Sequence, residues 1–151
     1  MSFYKIATLV RDTLSDHPDV NVVTMGDYNQ VDLNKQTIFP LAHIQPSTSV
    51  IHNSTIDYTF NIIALDIVDF NKDNVKELTP DVFRGNDNLQ DVYASMLNVL
   101  NDLYLRISKS QENYEAGESP SVDFFDMRFE NGLAGCGISI TITAENGHAI
   151  C

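Results

Sequence analysis

Hydrophobic and polar positions alternate with a period of two through residues 55–69 (TIDYTFNIIALDIVD), and the alternation changes phase partway. Ile56, Tyr58, Phe60 and Ile62 place apolar groups on one side. Ile63, Leu65 and Ile67 then place them on the other, with Asp66 turned outward. A strand of this extent is about two to three times the usual length and spans on the order of 50 Å. Such a strand either bends at a bulge or has one end covered by something besides its own domain. The second alternative favours assembly over catalysis.

The remaining pattern surrounds this strand with shorter elements. Phe3, Ile6, Ala7, Val10 and Leu14 fall at helical spacing, predicting a first helix capped by Ser2 and running to about Asp16. His17-Pro18 stops it, because the residue before a proline avoids helical angles. A short strand over 20–25 ends at Gly26-Asp27, and the polar residues 28–35 read as a loop or irregular edge. Residues 37–44 predict a strand that is an edge or carries a bulge, since Pro40 cannot donate to a ladder. Pro46 marks a turn over 45–49. Val50 and Ile51 begin the next strand early, and His52-Asn53-Ser54 interrupts it.

Residues 70–86 (FNKDNVKELTPDVFRGN) form an irregular excursion, of a length that usually signals function or mobility. Val82 and Phe83 within it either fold back onto the core or insert into a neighbour. Asp87, with Gln90 three residues on, predicts the capped start of a long helix ending near Ser110. Its stripe is Leu89, Val92, Tyr93, Met96, Leu100, Leu103, Tyr104 and Ile107, widened by Leu97, Val99 and Leu105. At on the order of 35 Å it can cover most of one face of a sheet. Residues 111–120 read as a polar linker. A strand over 122–130 then meets the hairpin signal Asn131-Gly132. The last strand places Cys136, Ile138, Ile140, Ile142 and Ala144 inward against Ser139, Thr141, Thr143 and Glu145 outward. The order α-β-β-β-α-β-β predicts a single α+β domain over 1–151. It has an antiparallel sheet with one long strand, a long helix packed on one face, and an N-terminal helix.

Charge narrows the function. The 151 residues carry a formal net charge of −12. That disfavours a surface that grips nucleic acid, which needs clustered Lys and Arg, and disfavours anionic membranes. It suits solubility, a basic protein partner, or a wall past which nucleic acid slides without sticking. No apolar run approaches the roughly 20 residues needed to cross a bilayer. The first residues lack a basic region followed by an apolar core, so the chain is expected to stay where it is made.

Candidate chemistry adds little. The stretch from Asp69 to Asp73 starts like a calcium loop, but Asn74 stands where glycine is needed and Pro80 where glutamate is needed. His17, His43, His52 and His148 have no metal-ligand spacing among themselves or with Cys136 and Cys151. His43 reads as a satisfied, partly buried side chain, and Cys136 as a small buried apolar group. The glycines of NGLAGCG lack the following helix and lysine of a phosphate loop. Asp66 and Asp69 are a carboxylate pair of the kind chance supplies in so acidic a chain. The expectation is therefore no enzyme, no cofactor and no metal.

Three segments carry a resemblance. They are QTIFPLAHIQPSTSVIHNSTIDYTFNIIALDIVD, the helix DVYASMLNVLNDLYLRI, and the closing hairpin DFFDMRFENGLAGCGISITITAENGHAIC. Within them stand Phe39-Pro40-Leu41, the D-x-x-D of Asp66 and Asp69, Leu100-Asn101-Asp102-Leu103, and Arg128-Phe129 followed by Leu133-Ala134-Gly135. Over most of residues 37–151 their order resembles the small tail-completion, tail-terminator and neck proteins of tailed bacteriophages, in particular those infecting Bacteroidetes-type hosts. Similar families often have an aromatic after the Ala-Gly pair, where this chain has Cys136.

The resemblance implies a structural virion protein, made in the host bacterial cytoplasm. It would form a homo-oligomeric ring at the head–tail junction (neck) or tail end. Its partners would be itself and portal, connector or tail proteins, with genomic DNA passing through unbound and no membrane involved. The expected assembly contacts are Ile63, Leu65 and Ile67 on the long strand, Phe70, Val82 and Phe83 at the excursion, and Ile150 in the tail. Two other readings stay open: an acidic inhibitor or immunity-like protein that binds a basic partner, and a baseplate component of the same virion. An enzyme with an unrecognised site is a third class, to which no residue pattern points.

Overall fold

The computed structural model describes residues 3–26, 38–68, 89–110, 114–126 and 132–146. The elements in chain order are α1 (Phe3–Ser15), β1 (Val22–Met25), β2 (Leu41–Ile51), β3 (Thr55–Ile67), α2 (Leu89–Ser108), β4 (Tyr114–Ala116), β5 (Asp123–Phe125) and β6 (Leu133–Glu145). The strands form one sheet in the order β1-β2-β3-β6-β4, with β5 also paired to β6. This is a mixed α and β fold, and the sheet is not wholly antiparallel. β1 runs parallel to β2, from Val22 opposite Leu41 to Met25 opposite Ile44. The backbone N–H of Asn21 donates to the carbonyl of Pro40, and that of Gly26 to Ile44, bracketing the short ladder.

Strand β3 does not change phase. All 13 of its residues pair in unbroken register with β6, from Thr55 opposite Glu145 to Ile67 opposite Leu133. Its even positions stay on one face throughout: Tyr58, Phe60, Ile62 and Ala64 join one core, and Val68 just beyond the strand joins it too. What changes at Ile63 is the opposite face, which is polar up to Asn61 and apolar from Ile63 onward. The second half is buried on both faces, so its sequence reads as a continuous apolar run instead of an alternation. Asp66 consequently does not turn outward. It lies on the even, helix-bearing face and is half-buried.

Both helices cover that even face. α1 contributes Ile6, Ala7, Val10 and Leu14, and α2 contributes Val92, Met96, Val99, Leu100, Leu103 and Ile107. From the sheet come Ala42, Ile44 and the even residues of β6 from Ala134 to Ala144, including Cys136. Phe3 is partly exposed, yet its ring lies 5.9 Å from those of both Tyr58 and Phe60. A second, smaller cluster sits on the other face: Phe39, Leu41, Ile63, Leu65 and Leu133, flanked by Val22, Ile38, Ile67 and Phe125. Gly135 makes this second cluster possible. A Cβ there would collide with the Ala64 carbonyl and Leu65 backbone, so only glycine lets β3 and β6 approach closely under Leu65.

Two prolines bound and bend β2 differently from the sequence reading. Pro40, after a cis Phe39-Pro40 bond, precedes the strand and does not sit inside it. Pro46, read as a turn, lies within the strand opposite Phe60. The Ile44 carbonyl accepts from Gly26 on the β1 side, so Pro46, two residues on, aims its backbone to that same side, beyond the end of β1. A missing N–H is harmless there. The register then shifts by one residue between Pro46 and Ser49, as a bulge allows.

The closing region also departs from expectation. The stretch read as a linker contains β4, and only β5 of the 122–130 strand lies among the described residues. β4 and β5 pair with the same edge of β6, at Ala144–Ile142 and Gly137–Gly135. They are one edge strand interrupted over 117–122. β6 starts at Leu133, earlier than the alternation suggests, and Gly132 preceding it adopts a φ of 67°.

Candidate assembly surface

Where two strand edges end without a partner, a sheet can accept another strand. β2 is covered by β1 only over Leu41–Ile44. Beyond that point it is exposed, with Val50 51% and Ile51 76% accessible. His52 N–H donates to the Thr55 carbonyl, so His52 faces β3. By alternation Val50 faces β3 as well, while Ser49 and Ile51 aim their backbone groups at the open edge. At the opposite side of the sheet, Gly117 N–H donates to the Thr141 carbonyl at 2.7 Å. Gly117 and Glu115 therefore face β6, while Tyr114 and Ala116 aim outward. Among the described residues, no strand lies outside either segment.

These two edges stand at the same level. One transverse row runs Ser49–Tyr58–Ile142–Ala116, and the next but one runs Ile51–Ile56–Ala144–Tyr114. Among the described residues, the sheet at this end is four antiparallel strands, β2-β3-β6-β4, with no further strand on either side.

The exposed face between the edges is polar and internally bonded. Thr59 and Thr141 share a hydroxyl–hydroxyl bond of 3.0 Å. The Thr143 hydroxyl donates to the Asp57 carboxylate at 2.6 Å, and His52 Nε2 lies 3.1 Å from its other oxygen. The Thr143 bond, then the His52 contact, hold the Asp57 carboxyl below the usual range. Asp66 behaves oppositely: burial raises its pKa, and the bond from the Ile67 N–H only partly offsets this. Burial also pushes the Cys136 thiol up to about 12.

The structure places the expected contact residues as follows. Ile63 and Leu65 are buried in the chain's own second cluster, at 9% and 0% exposure, and Ile67 packs against it. They are core residues here, because Phe39, Leu41 and Leu133 already cover them. Phe70, Val82, Phe83 and Ile150 lie outside the described residues, as does the calcium-like stretch. The sequence reading took Ser49 for the end of a turn and Val50 and Ile51 for an early, interrupted start of the long strand, whose residues 50–69 it expected to make assembly contacts; all three belong to β2. One signal was available: residues 36–56 contain no Asp, Glu, Lys or Arg, in a chain of net charge −12.

A shallow concavity of about 870 Å³ lies on the outer face, lined by Gln45, Asn61, Ile63, Asp123, Phe125 and Ser139 among others. No group of His, Cys, Asp and Glu there could hold a metal. His43, with 1% exposure, is a structural group. Its Nε2 donates to the Gly26 carbonyl and its Nδ1 meets the Thr24 hydroxyl, both at 2.7 Å, tying β2 to the end of β1.

No protein-family model and no curated protein matches this sequence. The described helices include none long and apolar enough to cross a membrane.

Proposed function

We propose that this chain is a structural subunit of a tailed-bacteriophage virion, forming a homo-oligomeric ring at the head–tail junction or tail end through which DNA passes. The observation that carries the reading is the four-stranded end of the sheet, with an uncharged, partly apolar β2 edge exposed at Val50 and Ile51. An isolated protein usually protects such an edge with lysine, with a short strand or with a cover. Among the described residues this one is left open, in a chain whose sequence resembles ring-forming phage proteins.

The negative charge fits the same role. A net charge of −12 repels phosphate, so a ring lumen carrying part of it keeps DNA moving without binding it. An inhibitor of a basic partner would instead concentrate acid at its exposed contact edge, and β2 carries none there.

Size-exclusion chromatography with mass measurement, followed by imaging of phage particles, tests the reading. A closed oligomer and a matching ring in particles are expected. A strictly monomeric protein that is absent from particles, or one forming a salt-sensitive one-to-one complex with a basic protein, overturns it.

A further inference from the structure

We propose that neighbouring copies join head to tail by sheet extension, with β4 of one copy pairing antiparallel to residues 49–51 of β2 in the next. This rests on the ring reading above and names the contact that would build the ring.

Four features of the two edges agree, the last three following from the first in a sheet of four antiparallel strands. The first is level: Ala116 and Tyr114 end the same transverse rows that Ser49 and Ile51 begin. A neighbour displaced along those rows meets the sheet without sliding up or down. The second is direction. β2, β3, β6 and β4 alternate, so β4 is antiparallel to β2, and repetition continues an antiparallel ladder.

The third is hydrogen-bond phase. Tyr114 and Ala116 point their N–H and C=O groups out of one edge, and Ser49 and Ile51 out of the other. Placed opposite each other they exchange paired bonds, Ala116 with Ser49 of the next copy and Tyr114 with Ile51 of the next copy. The fourth is facing. Tyr114 and Ala116 pair with the even, helix-side residues of β6, while Ser49 and Ile51 pair with the even residues Tyr58 and Ile56. The helix-bearing faces of adjacent copies therefore stay on one side. The bulge after Pro46 decides only which residues stand there: without its extra residue, Thr48 and Val50 would take the places opposite Tyr58 and Ile56.

Chemistry at the contact is consistent with a second copy as the occupant. Two chains of net charge −12 repel, and an uncharged strip is where that repulsion opposes contact least. The β2 edge is such a strip. Ile51, the most exposed large apolar side chain among the described residues, would come beside the Tyr114 ring. The pairing joins two different patches, which generates a ring when the rotation closes.

In this register Glu115 and Val50 of the next copy form a non-hydrogen-bonded pair, with Cα atoms about 4.5 Å apart, within disulfide reach. The test is a Val50→Cys/Glu115→Cys double variant of the full chain, oxidised mildly and run on a non-reducing gel beside each single variant. A ladder of covalent multimers beyond the dimer, in the double variant alone, is expected. Ile51→Pro is the companion. It removes an outward N–H and leaves the β3 ladder intact, so it should lower association at least tenfold while the monomer's melting temperature holds.

Rings that form without the ladder, or that survive Ile51→Pro, overturn this pairing and leave the ring reading standing. A dimer from Val50→Cys alone indicates symmetric β2–β2 pairing and also overturns it. A wild-type chain that stays monomeric overturns the ring reading itself, and the pairing with it. A ladder from a chain absent from phage particles supports the pairing and overturns the virion role.

Discussion

Across the two central strands, the Thr143 hydroxyl donates a 2.6 Å hydrogen bond to the Asp57 carboxylate. The bond favours the ionised acid, so the folded-state pKa lies below the unfolded one. Its stabilising effect is present above the unfolded pKa and lost as pH falls through the folded pKa. Thr143→Val should move the Asp57 pKa back toward the ordinary carboxylate range, read by carboxyl NMR titration. It should also shrink the stability lost on acidification. An unchanged Asp57 titration would contradict this.

Asp66 has the opposite sign. Its pKa is raised by burial, so ionisation opposes folding at neutral pH and the penalty fades as pH falls through the folded pKa. Asp66→Asn keeps an oxygen to accept from the Ile67 N–H. The variant should melt at a higher temperature than wild type at pH 7, with the gain disappearing in acid. A uniform shift at all pH values would point to a packing change instead.

Leu65 separates core from contact. Because it lies at 0% exposure beneath Phe39, Leu41 and Leu133, Leu65→Ala should cost about 2–5 kcal/mol in denaturant unfolding of the monomer. A subunit contact would instead give weakened association with unchanged monomer stability.

Gly135→Ala should cost on the order of 3 kcal/mol through overpacking, since the added carbon meets backbone and not a movable side chain. Denaturant midpoints measure it. An effect within experimental error would mean that β3 and β6 separate easily.

Cys136 should be chemically silent. With its thiol pushed up to about 12 and no exposure, alkylation followed by peptide mapping should find it unlabelled at pH 8. Denaturant should make it react.

The sequence made the helices most legible. α1 and α2 present one apolar stripe each, and a single periodic stripe has one interpretation. β6 was legible for the same reason, its outer positions from Ser139 onward being polar. β3 misled because two different neighbours bury its second half, and a strand apolar on both faces loses the alternation that defines which face is which. Pro46 misled because whether a proline ends a strand depends on which way its N–H points. That direction is set by where β1 stops, a tertiary fact. β4 is three residues long and takes its strand character from β6, so nothing local announces it. The open edge at Ser49 and Ile51 emerged only once the sheet order was known, although the uncharged stretch around it was visible throughout.

β6 is the last described element in sequence yet an inner strand in space, lying between β3 on one side and β4 with β5 on the other. During synthesis, β2 and β3 can form a hairpin early, but β4 has no strand to rest on until β6 has emerged. The two edges therefore do not exist together on a nascent chain. A half-made copy presents only the β2 side, one of the two edges that the proposed pairing needs. On the pairing proposed above, translation order would act as a timer, delaying polymerisation until β6 and β4 have met.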